Sequence, residues 1–163
     1  MEKIRVLIAD DKVEILNNIK SILERCNNIE IIDVATNGNE EFEKIIMKKP
    51  ELVFTDNQMP KMTGIEVIEK INNELRIEDK PNFVLVTGDR NYNILKKVYE
   101  MNILTIINKP FDEEDILNAI EQYSNLKNNT REEITIKERV IKEKGFISKL
   151  INIFNKKKEG KDE

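Results

Sequence analysis

Residues 4 to 11 read IRVLIADD, a short apolar run rich in β-branched side chains that stops on two adjacent carboxylates, Asp10 and Asp11. A run this short, apolar at nearly every position, predicts a strand buried on both faces. Four more of the same kind follow, at 29 to 34 (IEIIDV), 51 to 55 (ELVFT), 82 to 86 (NFVLV) and 103 to 107 (ILTII). Between them apolar residues fall at helical spacing: Val13, Leu16, Ile19, Ile22 and Leu23; Phe42, Ile45 and Ile46; Ile65, Ile68, Ile71 and Leu75; Ile94, Leu95, Val98 and Met101; Ile116, Leu117 and Ile120. Five alternations of strand and helix predict an α/β fold, a doubly wound five-stranded parallel sheet with helices on both faces and right-handed crossovers. Thr63 with Glu66, and Asp112 with Asp115, stand where capping boxes open the third and fifth helices.

Composition narrows the chemistry. The chain has 163 residues, and its 31 acidic against 27 basic side chains give a net charge of -4, which argues against a general polyanion binder and predicts no nucleic-acid partner. The single cysteine, Cys26, cannot form an internal disulfide and points to a reducing, cytoplasmic setting. There are no histidines, which removes histidine general bases, Ser-His-Asp and Cys-His constellations and most zinc sites together. Any chemistry here is carboxylate chemistry. No apolar run approaches the roughly 20 residues that cross a bilayer, and residues 1 to 10 lack the apolar core of a signal peptide, so the sequence reads as soluble. Ile, Lys and Asn together make 67 of the 163 residues, a skew so broad that lysine-rich stretches carry little functional weight by themselves.

In an open parallel sheet, ligands sit at the carboxyl edge of the strands. The strand ends carry Asp10 and Asp11 after the first, Asp56 after the third, Thr87 and Gly88 after the fourth, and Lys109 and Pro110 after the fifth. Crowded carboxylates repel one another unless a cation neutralises them, and a hard ion such as Mg2+ takes oxygen ligands while keeping phosphate oxygens or waters in its shell. A carboxylate can also be the nucleophile that forms an acyl phosphate, for which Asp56 is the candidate. Lys109 offers a fixed positive charge and Thr87 a hydroxyl donor, both suited to phosphoryl oxygens. Each aspartate taken singly is equally well read as a helix cap, Asp11 for the first helix. Five such groups at one sheet edge are harder to assign to capping.

The constellation resembles the receiver domain of two-component response regulators. The motifs that carry the resemblance are the acidic pair after VLIAD, Asp56 within FTDNQMPKMTG, the Thr87-Gly88 step and the run Lys109-Pro110-Phe111. The resemblance covers residues 1 to about 124 and implies a flavodoxin-like strand order 2-1-3-4-5. It further implies that Asp56 accepts a phosphoryl group from a histidine kinase or phosphotransfer protein. Mg2+ would be held by Asp11, Asp56 and the backbone carbonyl of Gln58, with Asp10 contributing through water, and Thr87 and Lys109 would bind the phosphoryl oxygens. Such a domain turns over no independent substrate beyond its own phosphorylation and dephosphorylation. Its face at residues 91 to 123 is expected to dock a downstream protein or a second copy. The family usually has an aromatic residue three positions before the lysine; here that position is Ile106, which implies altered signalling. Two other readings compete: a receiver-like interaction module independent of phosphorylation, and a phosphatase of the haloacid dehalogenase type. The second requires an acid two residues after the nucleophile, where Gln58 stands.

From residue 125 the pattern changes, and NLKNNT (125 to 130) reads as a polar hinge. Residues 1 to 124 carry 16 basic and 24 acidic side chains (-8), and 125 to 163 carry 11 and 7 (+4). The stretch GFISKLINIFNKKK, 145 to 158, is a basic amphipathic helix with Gly145 as an expected break. It is read as docking on this domain or a second copy, as lying peripherally on the inner membrane surface, or as entering a partner's groove.

Overall fold

The computed structural model describes residues 2–88, 101 and 103–159, with side chains described through Gly145 and at Ser148. The elements run β1 (Ile4–Ala9), α1 (Val13–Glu24), β2 (Ile29–Ala35), α2 (Gly38–Lys48), β3 (Leu52–Thr55), α3 (Gly64–Glu74), a 3-10 turn (Ile77–Asp79), β4 (Asn82–Thr87), β5 (Ile103–Asn108) and α4 (Glu113–Glu159). The five strands form one parallel sheet in the order β2-β1-β3-β4-β5, as expected. The predicted helix around Ile94, Leu95 and Val98 lies outside the described residues, as do residues 91–100 and 102 of the 91 to 123 face.

Strand alternation divides the core between the two faces of the sheet. Val6 and Ile8 of β1, Phe54 of β3 and Val84 and Val86 of β4 pack with Leu16, Ile19 and Leu23 of α1 and with Ile116, Ala119 and Ile120 of α4. The intervening residues Leu7, Val53 and Phe83 face the other way, onto Ile45 of α2 and Val67, Ile68 and Ile71 of α3. This two-sided burial is why the strands carry apolar residues almost continuously. Val13 and Leu117, assigned to helix cores by spacing, are 58% and 40% exposed and lie at the edges of their stripes.

Helix starts follow local chemistry. Thr63 caps α3 by accepting from the Glu66 N–H at 3.2 Å while Glu66 accepts from the Thr63 N–H at 2.8 Å. Asp112 and Asp115 exchange the same two bonds, at 3.0 and 3.1 Å, at the start of α4. The hinge expected at 125 to 130 is not present, nor is the break at Gly145: α4 is one helix from Glu113 to Glu159. No proline interrupts it. Thr130 satisfies its hydroxyl on the Leu126 carbonyl at 3.0 Å, and one glycine in a helix interior costs only about 1 kcal/mol relative to alanine. By internal packing the chain divides into Met1–Tyr123 and Ser124–Glu163.

Candidate functional site

Main-chain pairing at the carboxyl edge of the sheet fixes where the polar residues emerge. The Asp10 N–H donates to the Ala35 carbonyl at 3.1 Å, the Asp56 N–H to the Ala9 carbonyl at 2.9 Å, and the Lys109 N–H to the Thr87 carbonyl at 2.9 Å. Residues far apart in sequence are thus held to one edge by strand register. Asp10, Asp11 and Asp56 each present a carboxylate oxygen within 4.8 Å of the others. Asp10 and Asp56 are buried and Asp11 is exposed.

Lys109 closes the group. Its Nζ lies 2.7 Å from Asp10 Oδ2 and 3.3 Å from Asp56 Oδ2, and its side chain is only 15% exposed. Burial pushes the Asp56 carboxyl above its ordinary value; Lys109 opposes that, Asp10 reinforces it, and the Gln58 N–H donates to the carboxylate. Charge is therefore under-compensated at Asp56, the condition that a hard cation relieves. Three oxygen donors of this kind fit Mg2+. The backbone places Gln58 beside Asp56, so its carbonyl belongs to the same loop. Thr87, the last residue of β4, is buried at 1% exposure beside the Lys109 strand.

The capping role considered for Asp11 does not occur. The N-cap of α1 is Lys12, with no side-chain cap, and it is Asp10 Oδ1 that accepts the Lys12 N–H at 2.9 Å. Asp11 is left exposed with its carboxylate toward the cluster. Ile106 is half-buried in β5, opposite Leu85 of β4.

Three residues around the site were not singled out by sequence. Asn57 is buried, accepts from the Ile65 N–H through Oδ1 at 3.2 Å and from the Gly64 N–H through its carbonyl at 3.3 Å, and so anchors the loop after Asp56 to α3. Thr55 and Glu41, both wholly buried, meet at 3.0 Å behind Asp56. The signal for Glu41 was its position four residues before Ile45, on the same inward stripe of α2; nothing local distinguished Asn57. Gly64 is required by space: a Cβ there would fall 2.3 Å from the Asp56 carbonyl oxygen and 2.8 Å from Thr55 Oγ1.

The family model for the response regulator receiver domain matches residues 6–121. The chain is 30% identical over 119 residues to the uncharacterized transcriptional regulatory protein YesN of Bacillus subtilis, covering 72% of this chain and 32% of that protein. It is 30% identical over 124 residues to the sensory transduction protein LytT of Bacillus anthracis, covering 76% and 48%. The chain spans about a third of the one relative and about half of the other. Among solved structures it is similar to a CheY-like receiver domain protein from Methanospirillum hungatei, with 28% identity, a TM-score of 0.67, and 79% of this chain and 99% of that one covered. It is also similar to a chain of the CheX-CheY-BeF3-Mg2+ complex from Borrelia burgdorferi, with 25% identity, a TM-score of 0.65, and coverage of 73% and 87%.

Proposed function

The chain belongs to the response regulator receiver domain family, and on that premise we propose that it accepts a phosphoryl group on Asp56 and thereby switches its protein interactions. The observation that carries the reading is the buried Asp56 carboxylate set between Asp10 and Lys109 at the sheet edge. One Asp56 oxygen forms the new O–P bond as the N–P bond of a kinase or phosphotransfer-protein phosphohistidine breaks, and the departing imidazole nitrogen takes a proton. This sequence has no histidine, so the donor histidine lies outside it. Lys109 meets the negative charge that the acyl phosphate adds, and the Thr87 hydroxyl donates to a phosphoryl oxygen. Asp11, Asp56 and the Gln58 carbonyl, with Asp10 through water, would hold Mg2+, which neutralises the crowded oxygens. A similar chain comes from a complex that holds Mg2+ and BeF3, which supports Mg2+ as the ion.

The expected downstream surface is the 91 to 123 face, of which β5 and the first turns of α4 are described. For the basic apolar stretch 146 to 158, a place at an anionic membrane surface is one of three readings of its sequence pattern, beside docking on this domain or a second copy and entry into a partner's groove. Intact-protein mass after incubation with acetyl phosphate and Mg2+ tests the main reading. Wild type gains one base-labile phosphoryl adduct and Asp56→Asn gains none. Equal labelling of both, or of neither, removes Asp56 as acceptor of small-molecule phosphate; a phosphohistidine donor repeats the comparison for the protein partner.

A further inference from the structure

α2 opens with Glu40 and Glu41, whose side chains have opposite fates. Glu40 stays near the surface, where it pairs with Lys44 at 2.6 Å and accepts from Thr36. Glu41 turns inward to 0% exposure. Among the described residues no Lys or Arg pairs with it, its Oε1 has no hydrogen-bond partner, and its Oε2 lies 3.0 Å from Thr55 Oγ1. Burial holds its carboxyl well above the usual carboxylate range; the Thr55 hydrogen bond opposes this and the Asp56 charge adds to it. A buried carboxylate without a cation is far costlier than the neutral acid, and this burial favours the protonated form of Glu41.

That proton resolves a count at Thr55. Thr55 Oγ1 contacts two oxygens, Glu41 Oε2 and, at 3.3 Å, the Asp56 carbonyl. A hydroxyl has one hydrogen to donate, and a carbonyl oxygen can only accept. The two contacts are both hydrogen bonds when the Glu41 acid donates to Thr55 Oγ1 and the Thr55 hydroxyl donates to the Asp56 carbonyl. Gly64 leaves the space in which this chain fits, since any Cβ there would meet both Thr55 Oγ1 and the Asp56 carbonyl.

We propose that Glu41 is a positioning residue for the phosphoacceptor: as a buried acid it hands a hydrogen bond through Thr55 to the Asp56 carbonyl, fixing the peptide from which the Asp56 side chain and the Gln58 loop project. The inference rests on the reading of Asp56 as acceptor and adds to it a support beneath the site, contributed by α2. It treats the residue as a donor, not as a charge.

Three single variants of the full chain, and the double variant Glu41→Met/Thr55→Val, test it. Glu41→Gln keeps a donor toward Thr55, Glu41→Met keeps the volume without one, and Thr55→Val removes the relay. Uptake from acetyl phosphate with Mg2+ is read per folded molecule, alongside the Asn57 amide resonance of the metal-free protein. Glu41→Gln stays within about twofold of wild type, whereas Glu41→Met and Thr55→Val each lose about tenfold or more, the scale of small misplacements at reacting groups. The double variant is no slower than Thr55→Val alone. The Asn57 amide shifts in Glu41→Met and Thr55→Val but not in Glu41→Gln. Wild-type uptake by Glu41→Met, or an unmoved Asn57 amide in it, overturns the proposal. If wild type itself takes up no phosphate, the acceptor reading fails, and the Asn57 amide alone decides the positioning.

Discussion

Lys109 faces two buried carboxylates at once, and its removal separates what each contact contributes. Asp10 and Asp56, 1% and 3% exposed with Lys109 in place, both lose their ammonium partner when it is removed. Leaving a buried charge unpaired costs on the order of 3 kcal/mol, so metal-free Lys109→Ala unfolds at markedly lower denaturant than wild type. Mg2+ supplies the missing positive charge, and binding to the folded state alone raises stability by mass action. The expected result is that Mg2+ recovers more stability in Lys109→Ala than in wild type, while uptake on Asp56 persists at a reduced rate. Urea titrations with and without Mg2+ measure this; equal Mg2+ gains in the two proteins would show that Lys109 does not share its charge-neutralising role with the ion. Asp56→Asn goes the other way. It deletes a carboxylate that burial and Asp10 disfavour, so the metal-free variant unfolds at higher denaturant.

At the scale of elements, β2 and α2 are tied by a charged cluster away from the site. Lys44 lies 3.1 Å from Asp33 and 2.6 Å from Glu40, and Lys48 lies 2.6 Å from the other Asp33 oxygen. Burial alone would raise the Asp33 carboxyl, but Lys48, the Val34 N–H and Lys44 bring it down to about 2 from 3.8. A depressed carboxyl stabilises the fold fully above its unfolded value and loses that contribution as pH falls through the folded one. The stability gap between wild type and Asp33→Asn is therefore constant from pH 7 to about 5 and narrows toward pH 3, as denaturant midpoints at each pH will show; a gap independent of pH removes Asp33 as its source. These elements were legible because β-branched runs, apolar spacing and capping residues are local signals, and the two capping boxes form as written. The site was legible as residues at strand ends. Its support was less so: Asn57 matters through tertiary contacts that leave only a polar letter in the sequence, and Glu41 showed only as an acid on the inward stripe of α2. The hinge at 125 to 130 failed for the opposite reason: asparagine and threonine lower helix propensity by tenths of a kcal/mol, too little to stop a helix without proline.

For the whole molecule the unequal charge is the governing quantity. The receiver part carries -8 and the segment after residue 124 carries +4, and an anionic surface repels the first while attracting the second. Within the later segment Phe146, Ile147, Leu150, Ile151 and Phe154 recur at helical spacing, and Lys156, Lys157 and Lys158 follow. Among the described residues no helix is long and apolar enough to cross a membrane; on the membrane reading the segment lies in the interface plane, with each lysine near the surface contributing about 1 kcal/mol. The full chain is expected to float with vesicles rich in phosphatidylglycerol, to stay behind with purely zwitterionic vesicles, and to be released as salt shortens the screening length from about 10 Å at 0.1 M to about 3 Å at 1 M. Removing residues 145 to 163 takes away the apolar residues and half of the tail's net positive charge, +2 of +4, and the shortened chain should not float while keeping phosphoryl uptake on Asp56. Flotation of the shortened chain, or failure of the full chain to float at low salt, assigns the apolar side of this helix to protein and not to lipid.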